Sequence, residues 1–124
     1  MKDTSEQLMQ EPIINMYTRK QAIEDGILID VSSTARDAGI VYPVAITHNL
    51  WHSYIDKFDN AKSRLWEVLW IFRLKILSQD TNSISFNVSF SMPNKEPELV
   101  ELMAICGPGD DLEPVITIML PDDY

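Results

Sequence analysis

The sequence predicts an α+β fold in which short N-terminal helices and one long apolar helix pack on a C-terminal three-stranded antiparallel sheet. Three observations predict it. Ile84, Phe86, Val88 and Phe90 alternate with Ser85, Asn87, Ser89 and Ser91, the period of a half-buried strand with one wet face. Two further apolar runs, residues 99–106 and 115–120, flank the turn Gly107-Pro108-Gly109-Asp110-Asp111-Leu112-Glu113-Pro114. Upstream, Leu65, Trp66, Val68, Leu69, Phe72, Leu74, Ile76 and Leu77 cover most of a helix circumference.

Residues 1–15 mix charged and amide side chains without period and contain Pro12, so they read as a flexible leader. Residues 16–124 read as a single domain. A first helix is expected near residues 19–25. Thr18 and Gln21 have capping-box spacing, in which each side chain satisfies an orphan amide, and Gly26 suits the closing left-handed residue. Residues 27–31 read as extended, interrupted by Asp30. Ser32 or Ser33 is placed to cap a second short helix over residues 34–38, ended by Gly39. Residues 43–47 are again extended, and Thr47 is placed to cap a third helix over residues 48–57.

The long helix is expected over residues 60–78. Its polar stripe is narrow, formed by Arg64, Glu67, Lys75 and Ser78 with Ile71 among them, so the helix reads as a central core element. Residues 92–97, with Pro93 and Pro97, read as a turn or loop. In the strand that follows, Val100, Leu102, Ala104 and Cys106 share one face. Three strands on short connections make a meander, with the helix across its apolar face.

Bulk properties narrow the function classes. A chain of 124 residues, 45% apolar and 23% charged, has ordinary globular composition and needs no disulfide or metal to hold a core. Cys106 is the single cysteine, fits a reducing compartment and reads as a small buried hydrophobe. The polar start lacks a secretory apolar region, and no run approaches the ~20 apolar residues of a membrane span. The expected location is therefore cytoplasmic, with no membrane partner. The net charge of −9 and the scatter of the ten basic residues argue against direct nucleic-acid binding.

Acidity is concentrated at the C-terminal end. No basic residue follows Lys95, yet the last 29 positions hold eight carboxylates. The candidate partner-binding residues are Asp110, Asp111 and Glu113 in the turn, with Asp122 and Asp123 in the tail. Nothing in the neighbouring sequence neutralises the turn, so the expected partner is a protein with a basic surface. The same carboxylates also suit a backbone-bonded turn.

A second constellation is His48 and His52, one helical turn apart, with Asp56 continuing the stripe. Histidines at this spacing can share a metal, but position 49 is asparagine, so the helix is not of the protease type. Trp66, Trp70 and Arg73 lie on one helical face. On so apolar a helix they read as core, with a protein-binding patch as the functional alternative. No nucleophile elbow or phosphate-binding glycine loop is present, and no cofactor is implied.

Several segments resemble a family of small bacterial proteins known only as a domain of unknown function. The first runs from Tyr17-Thr18-Arg19 through Ala22-Ile23-Glu24-Asp25-Gly26 to Asp30-Val31. Ala35-Arg36-Asp37-Ala38-Gly39, Tyr42-Pro43-Val44-Ala45-Ile46-Thr47 and Trp51 continue it. Arg64-Leu65-Trp66-Glu67-Val68-Leu69-Trp70 is similar to the family's central helix. Cys106-Gly107-Pro108-Gly109-Asp110-Asp111-Leu112-Glu113-Pro114, continued to Pro121, is similar to its ending. The resemblance covers roughly residues 16–121. It implies carriage on plasmids, phages and integrated elements, and it transfers no catalytic residues. The expected function is a non-catalytic accessory protein of a mobile element that binds a protein, in its sharper form an acidic inhibitor of a host DNA-binding defence factor. The alternative is a small metal-dependent hydrolase using His48, His52 and nearby carboxylates.

Overall fold

A computed structural model describes residues 17–77 and 81–124 of the chain. The expected leader, residues 1–15, and the expected last turn of the long helix at Ser78 lie outside the described residues.

Helix α1 (Arg19–Glu24) starts on the expected capping box. Thr18 Oγ1 accepts from the Gln21 amide, and the Gln21 side chain accepts from the Thr18 amide. Gly26 follows at φ +79°, so the chain turns sharply into β1 (Leu28–Asp30). Helix α2 (Ser32–Asp37) begins earlier than expected and on a different cap. The Asp30 carboxylate accepts from both the amide and the hydroxyl of Ser32, at 3.1 and 2.6 Å. Ser32 Oγ in turn accepts from the Val44 amide at 3.0 Å, tying α2 to β2 (Val44–Thr47). Thr47 caps α3 (His48–Tyr54) through the Leu50 amide.

The remaining elements are α4 (Ala61–Ile76), β3 (Ser83–Met92), β4 (Lys95–Pro108) and β5 (Pro114–Met119), followed by a 3-10 turn over Pro121–Asp123. No helix among the described residues is long and apolar enough to cross a membrane.

The class is α+β, but the expected architecture is corrected. Among the described residues the sheet has five strands rather than three, in the order β1-β2-β5-β4-β3, and it is mixed: β2 and β5 run parallel while every other pair is antiparallel. The reason lies in β5. Val115 and Met119 are buried on one face and Ile116 and Ile118 on the other, so β5 cannot be an edge strand. β2 covers its free side and is itself buried on both faces, with Val44, Ala45 and Ile46 all inaccessible. Read as isolated extended pieces, residues 27–31 and 43–47 gave no sign of joining the C-terminal sheet.

Helices α1, α3 and α4 are also shorter than expected over the described residues, and α4 is less enclosed. Helices α1 to α4 span six, six, seven and sixteen residues. Helix α4 is not a central core element. Leu65, Val68, Leu69 and Phe72 are buried, whereas Trp66, Trp70 and Leu74 on the opposite face are exposed. The buried face packs over Phe86 of β3, with Phe72 and Phe86 ring centroids 5.8 Å apart.

The expected loop at residues 92–97 is mostly strand. A two-residue turn at Pro93 and Asn94, the latter at φ +58°, connects β3 directly to β4. Pro97 is tolerated because β5 pairs only with Met103–Pro108, leaving the first half of β4 with one open side.

Arg64 departs furthest from its expected place in the solvent stripe: it is only 4% exposed. Its Nε donates to Asn60 Oδ1 at 3.0 Å, Nη1 donates to the Tyr54 carbonyl at 2.9 Å, and Nη2 donates to the Ser91 carbonyl. The guanidinium lies 3.7 Å from the centroid of Phe58 and 5.5 Å from that of Phe90. One side chain thus joins the end of α3, the start of α4 and the end of β3. Arg64→Ala should lower stability by on the order of 2–4 kcal/mol, because buried carbonyls lose their donor at ~1–3 kcal/mol each. Arg64→Lys should recover only part of the loss, since an ammonium cannot present the same planar fork. Denaturation midpoints for both variants equal to wild type would show that the node carries no stability.

Candidate functional site

The acidic turn is tied into the fold rather than left free at its tip. Asp110 accepts from the backbone amides of Arg19 at 2.8 Å and Lys20 at 3.0 Å, the first two residues of α1. Those amides have no partner within the helix, so the carboxylate acts as a second cap beside Thr18. The hydrogen bonds hold the Asp110 carboxyl below its ordinary pKa. Arg19 reaches over β5, where Nη1 donates to Thr117 Oγ1 at 2.7 Å and Nη2 to the Ile116 carbonyl at 2.8 Å. The neighbouring sequence offers the turn no basic residue, but Arg19 and Lys20, distant in sequence, lie against it.

The other carboxylates divide. Glu113 folds back inside the turn and accepts from the Asp111 amide at 3.0 Å. Its carboxylate stands 2.6 Å from where a Cβ on Gly109 would be, so any larger residue there would have to displace the Glu113 side chain. Asp123 accepts from Thr47 Oγ1 at 2.8 Å, Asn49 Nδ2 at 2.7 Å and the Leu120 amide at 3.1 Å, pinning the tail to the start of α3. Asp111 and Asp122 are exposed. The five candidate partner-binding residues therefore do not form one surface cluster of equivalent groups. Asp110 and Asp123 hold other elements together, and Glu113 bonds within its own turn.

The histidines do come together. The His48 and His52 rings lie 4.1 Å apart at 58°, and His52 Nδ1 is 2.9 Å from Asp56 Oδ2. Both rings line an open cleft of about 650 Å³ with Thr47, Asn49, Asp25 and Asp123. The two carboxylates there already have partners. Asp123 is engaged as described, and Asp25 accepts from the Tyr17 hydroxyl, whose pKa is pushed up to about 12 chiefly by that bond. Among the described residues, no group of three or more His, Cys, Asp or Glu side chains is arranged to hold a metal ion.

The surface feature that the sequence reading placed in the core is on α4. Trp66 and Trp70 are 41% and 42% exposed, and their rings stack with centroids 6.2 Å apart at 10°. The Arg73 guanidinium lies 5.8 Å from the Trp70 ring. It also packs on Gly39, where a Cβ would stand 2.6 Å from Nε. Leu74 and Leu77 continue the exposed stripe along the helix. The signal was the spacing of Trp66, Trp70, Arg73 and Leu77 on one side of an otherwise apolar helix. With apolar residues on nearly every side, that pattern could not say which side faces the sheet.

The chain matches the model of a family of unknown function, DUF6573, over residues 6–124. The chain belongs to that family. No curated protein and no solved structure matches it. Membership covers both the capped α1 start and the acidic turn that docks on it, so the two segments that meet through Asp110 both lie within the family's extent.

Asp110 has a definite pH signature. Its folded pKa is below its unfolded value, so its contribution is present above the unfolded carboxylate pKa of ~3.9 and is lost as pH falls through the folded pKa. Asp110→Asn should lower the thermal midpoint at neutral pH, and the gap to wild type should close on acidification below about pH 4. A gap that stays constant into acid would mean that the carboxylate charge does not hold α1.

Proposed function

We propose that the protein is a non-catalytic accessory protein that acts by binding another protein. The observation that carries this reading is the stacked, exposed Trp66–Trp70 pair with Arg73, Leu74 and Leu77 beside it on α4. Tryptophan and arginine on an apolar patch are the residues that dominate binding energy in protein interfaces. A stripe of this kind on a soluble surface marks an interaction site more often than a bare structural face. The resemblance of the end motifs to proteins carried on plasmids, phages and integrated elements supports an accessory role in such an element, in the cytoplasm of its host.

The sharper reading, an acidic inhibitor of a host DNA-binding defence factor, draws on the net charge of −9. It has less support than the tryptophan stripe. Asp110, Glu113 and Asp123 are occupied within the fold, which leaves Asp111 and Asp122 as the candidate residues for a basic partner. A crosslinking pull-down from the native host separates the two surfaces. The expected outcome is a specific partner captured by wild type and by an Asp111→Asn, Asp122→Asn variant, and lost with Trp66→Ser plus Trp70→Ser. Loss of the partner only in the aspartate variant would move the binding surface to the acidic end.

One observation favours a second reading. His48 and His52 meet at a cleft, and Asp56 is bonded to His52, an arrangement that suits proton transfer or a metal-assisted hydrolase. Such an enzyme would need a third and fourth ligand for zinc. Elemental analysis of purified protein should find no stoichiometric zinc. About one zinc per chain, lost in His48→Ala, would favour the hydrolase.

A further inference from the structure

Strand β3 is an edge of the sheet with an unusual composition. It runs for ten residues and, among the described residues, pairs with β4 alone. Edge strands in soluble proteins are ordinarily protected by charge, proline, a short length or a covering element. Residues 83–92 contain no charged residue and no proline.

The direction of its backbone groups follows from the ladder. The Cys106 amide donates to the Asn82 carbonyl, and the register continues as Ile84 opposite Ala104, Phe86 opposite Leu102 and Val88 opposite Val100. Alternation in an antiparallel pair then turns the N–H and C=O of Ser83, Ser85, Asn87, Ser89 and Ser91 away from β4. Two contacts agree with that direction: Thr81 Oγ1 donates to the Ser83 carbonyl at 2.7 Å, and Arg64 donates to the Ser91 carbonyl. The ends of the edge are therefore capped. The groups of Ser85, Asn87 and Ser89 lie between the caps.

The same stretch is self-complementary. Reading outward from Asn87 in either direction gives a core-facing apolar residue, a serine, a phenylalanine or isoleucine, and a serine. A two-fold axis at Asn87 places Ser85 opposite Ser89 of a second copy and Asn87 opposite itself, with small uncharged side chains throughout the wet face. Ile71 and Lys75 of α4, Asn87 of β3 and Glu101 of β4 line one shallow groove of about 250 Å³ at this edge. A like-charged or bulky edge would oppose such pairing. The strand itself, residues 83–92, carries no charged side chain.

We propose that β3 pairs antiparallel with β3 of a second copy about a two-fold axis at Asn87, joining two five-stranded sheets into one of ten strands. The interface is separate from the tryptophan stripe, so the dimer leaves that face available. The full-length chain should be a dimer by light scattering at micromolar concentration and dissociate on dilution. Asn87→Lys should weaken dimerisation by about fivefold or more, because like charges then meet directly across the axis. Asn87→Asp should do the same. Mixing the two variants should restore dimers as a Lys–Asp heterodimer, an outcome that only an axis at residue 87 produces. Their thermal midpoints should stay near the wild-type value measured under monomeric conditions, since the side chain is exposed. Amide exchange at Ser85, Asn87 and Ser89 should be slow in the dimer and fast after dilution. A wild-type monomer at all concentrations would overturn the proposal, as would a dimer indifferent to both substitutions. Slow exchange at these amides in a monomer would also overturn it, because another part of the chain would then cover the edge.

Discussion

The buried guanidinium of Arg64 is the constraint on which the arrangement of helices and sheet depends. A charged group that has lost its water must have every donor placed, and the oxygens it reaches belong to three different elements. The Tyr54 carbonyl fixes where α3 ends. Asn60 fixes where α4 begins. The Ser91 carbonyl fixes the far end of β3, just where its ladder with β4 shifts register. Phe58 and Phe90 supply aromatic faces to the same cation, and Tyr54 stacks on Phe90 at 5.2 Å while donating to Glu98. Removing water from a guanidinium depresses its pKa, yet arginine stays charged because its ordinary value is so high. The node therefore works as a permanent cation with fixed geometry, a task unsuited to lysine or histidine.

A related economy governs the carboxylates. The chain's acidity suggests surface function, yet Asp110 and Asp123 act as long-range clasps. Asp110 joins the β4–β5 turn to α1, where its partners Arg19 and Lys20 lie 91 and 90 positions away in sequence. Asp123 joins the C-terminal tail to Thr47 and Asn49. Each clasp holds a short helix whose own length gives it little stability, since helices of six or seven residues do not persist alone in water. The cost of ordering them is offset by charge-assisted bonds to otherwise orphaned polar groups. The acidic end is thus partly a scaffold, and the more exposed binding chemistry lies on α4, where aromatic rings replace charge.

The tryptophan stripe, the β3 edge and the histidine cleft occupy different parts of the molecule and make different physical demands. The tryptophan stripe of α4 offers apolar area and a cation over a ring, which suits a packed protein interface. The β3 edge offers only backbone hydrogen-bonding groups and small polar side chains, which suits strand addition. The histidine cleft offers titratable groups in an open site. The first two are compatible in one assembly, because edge pairing extends the sheet sideways while the stripe faces away from it.

Local structure was legible from the residues alone wherever a short-range signal was sufficient. The Thr18–Gln21 box, the Thr47 cap, the glycine at residue 26 and the alternation through β3 each act within a few residues, and each appears in the fold. Tertiary structure decided what depended on distant partners. Whether β5 was an edge or a central strand depended on β2, some 70 positions earlier, and short apolar runs carry no label for their neighbours. Which side of α4 faced the sheet could not be read from a helix apolar on most sides, so Arg64 looked exposed and the tryptophans looked buried. The acidic turn looked uncompensated because Arg19 and Lys20 come next to it only in space. Hydrogen bonds and burial between remote residues settle such questions, and their energies have no counterpart in local periodicity.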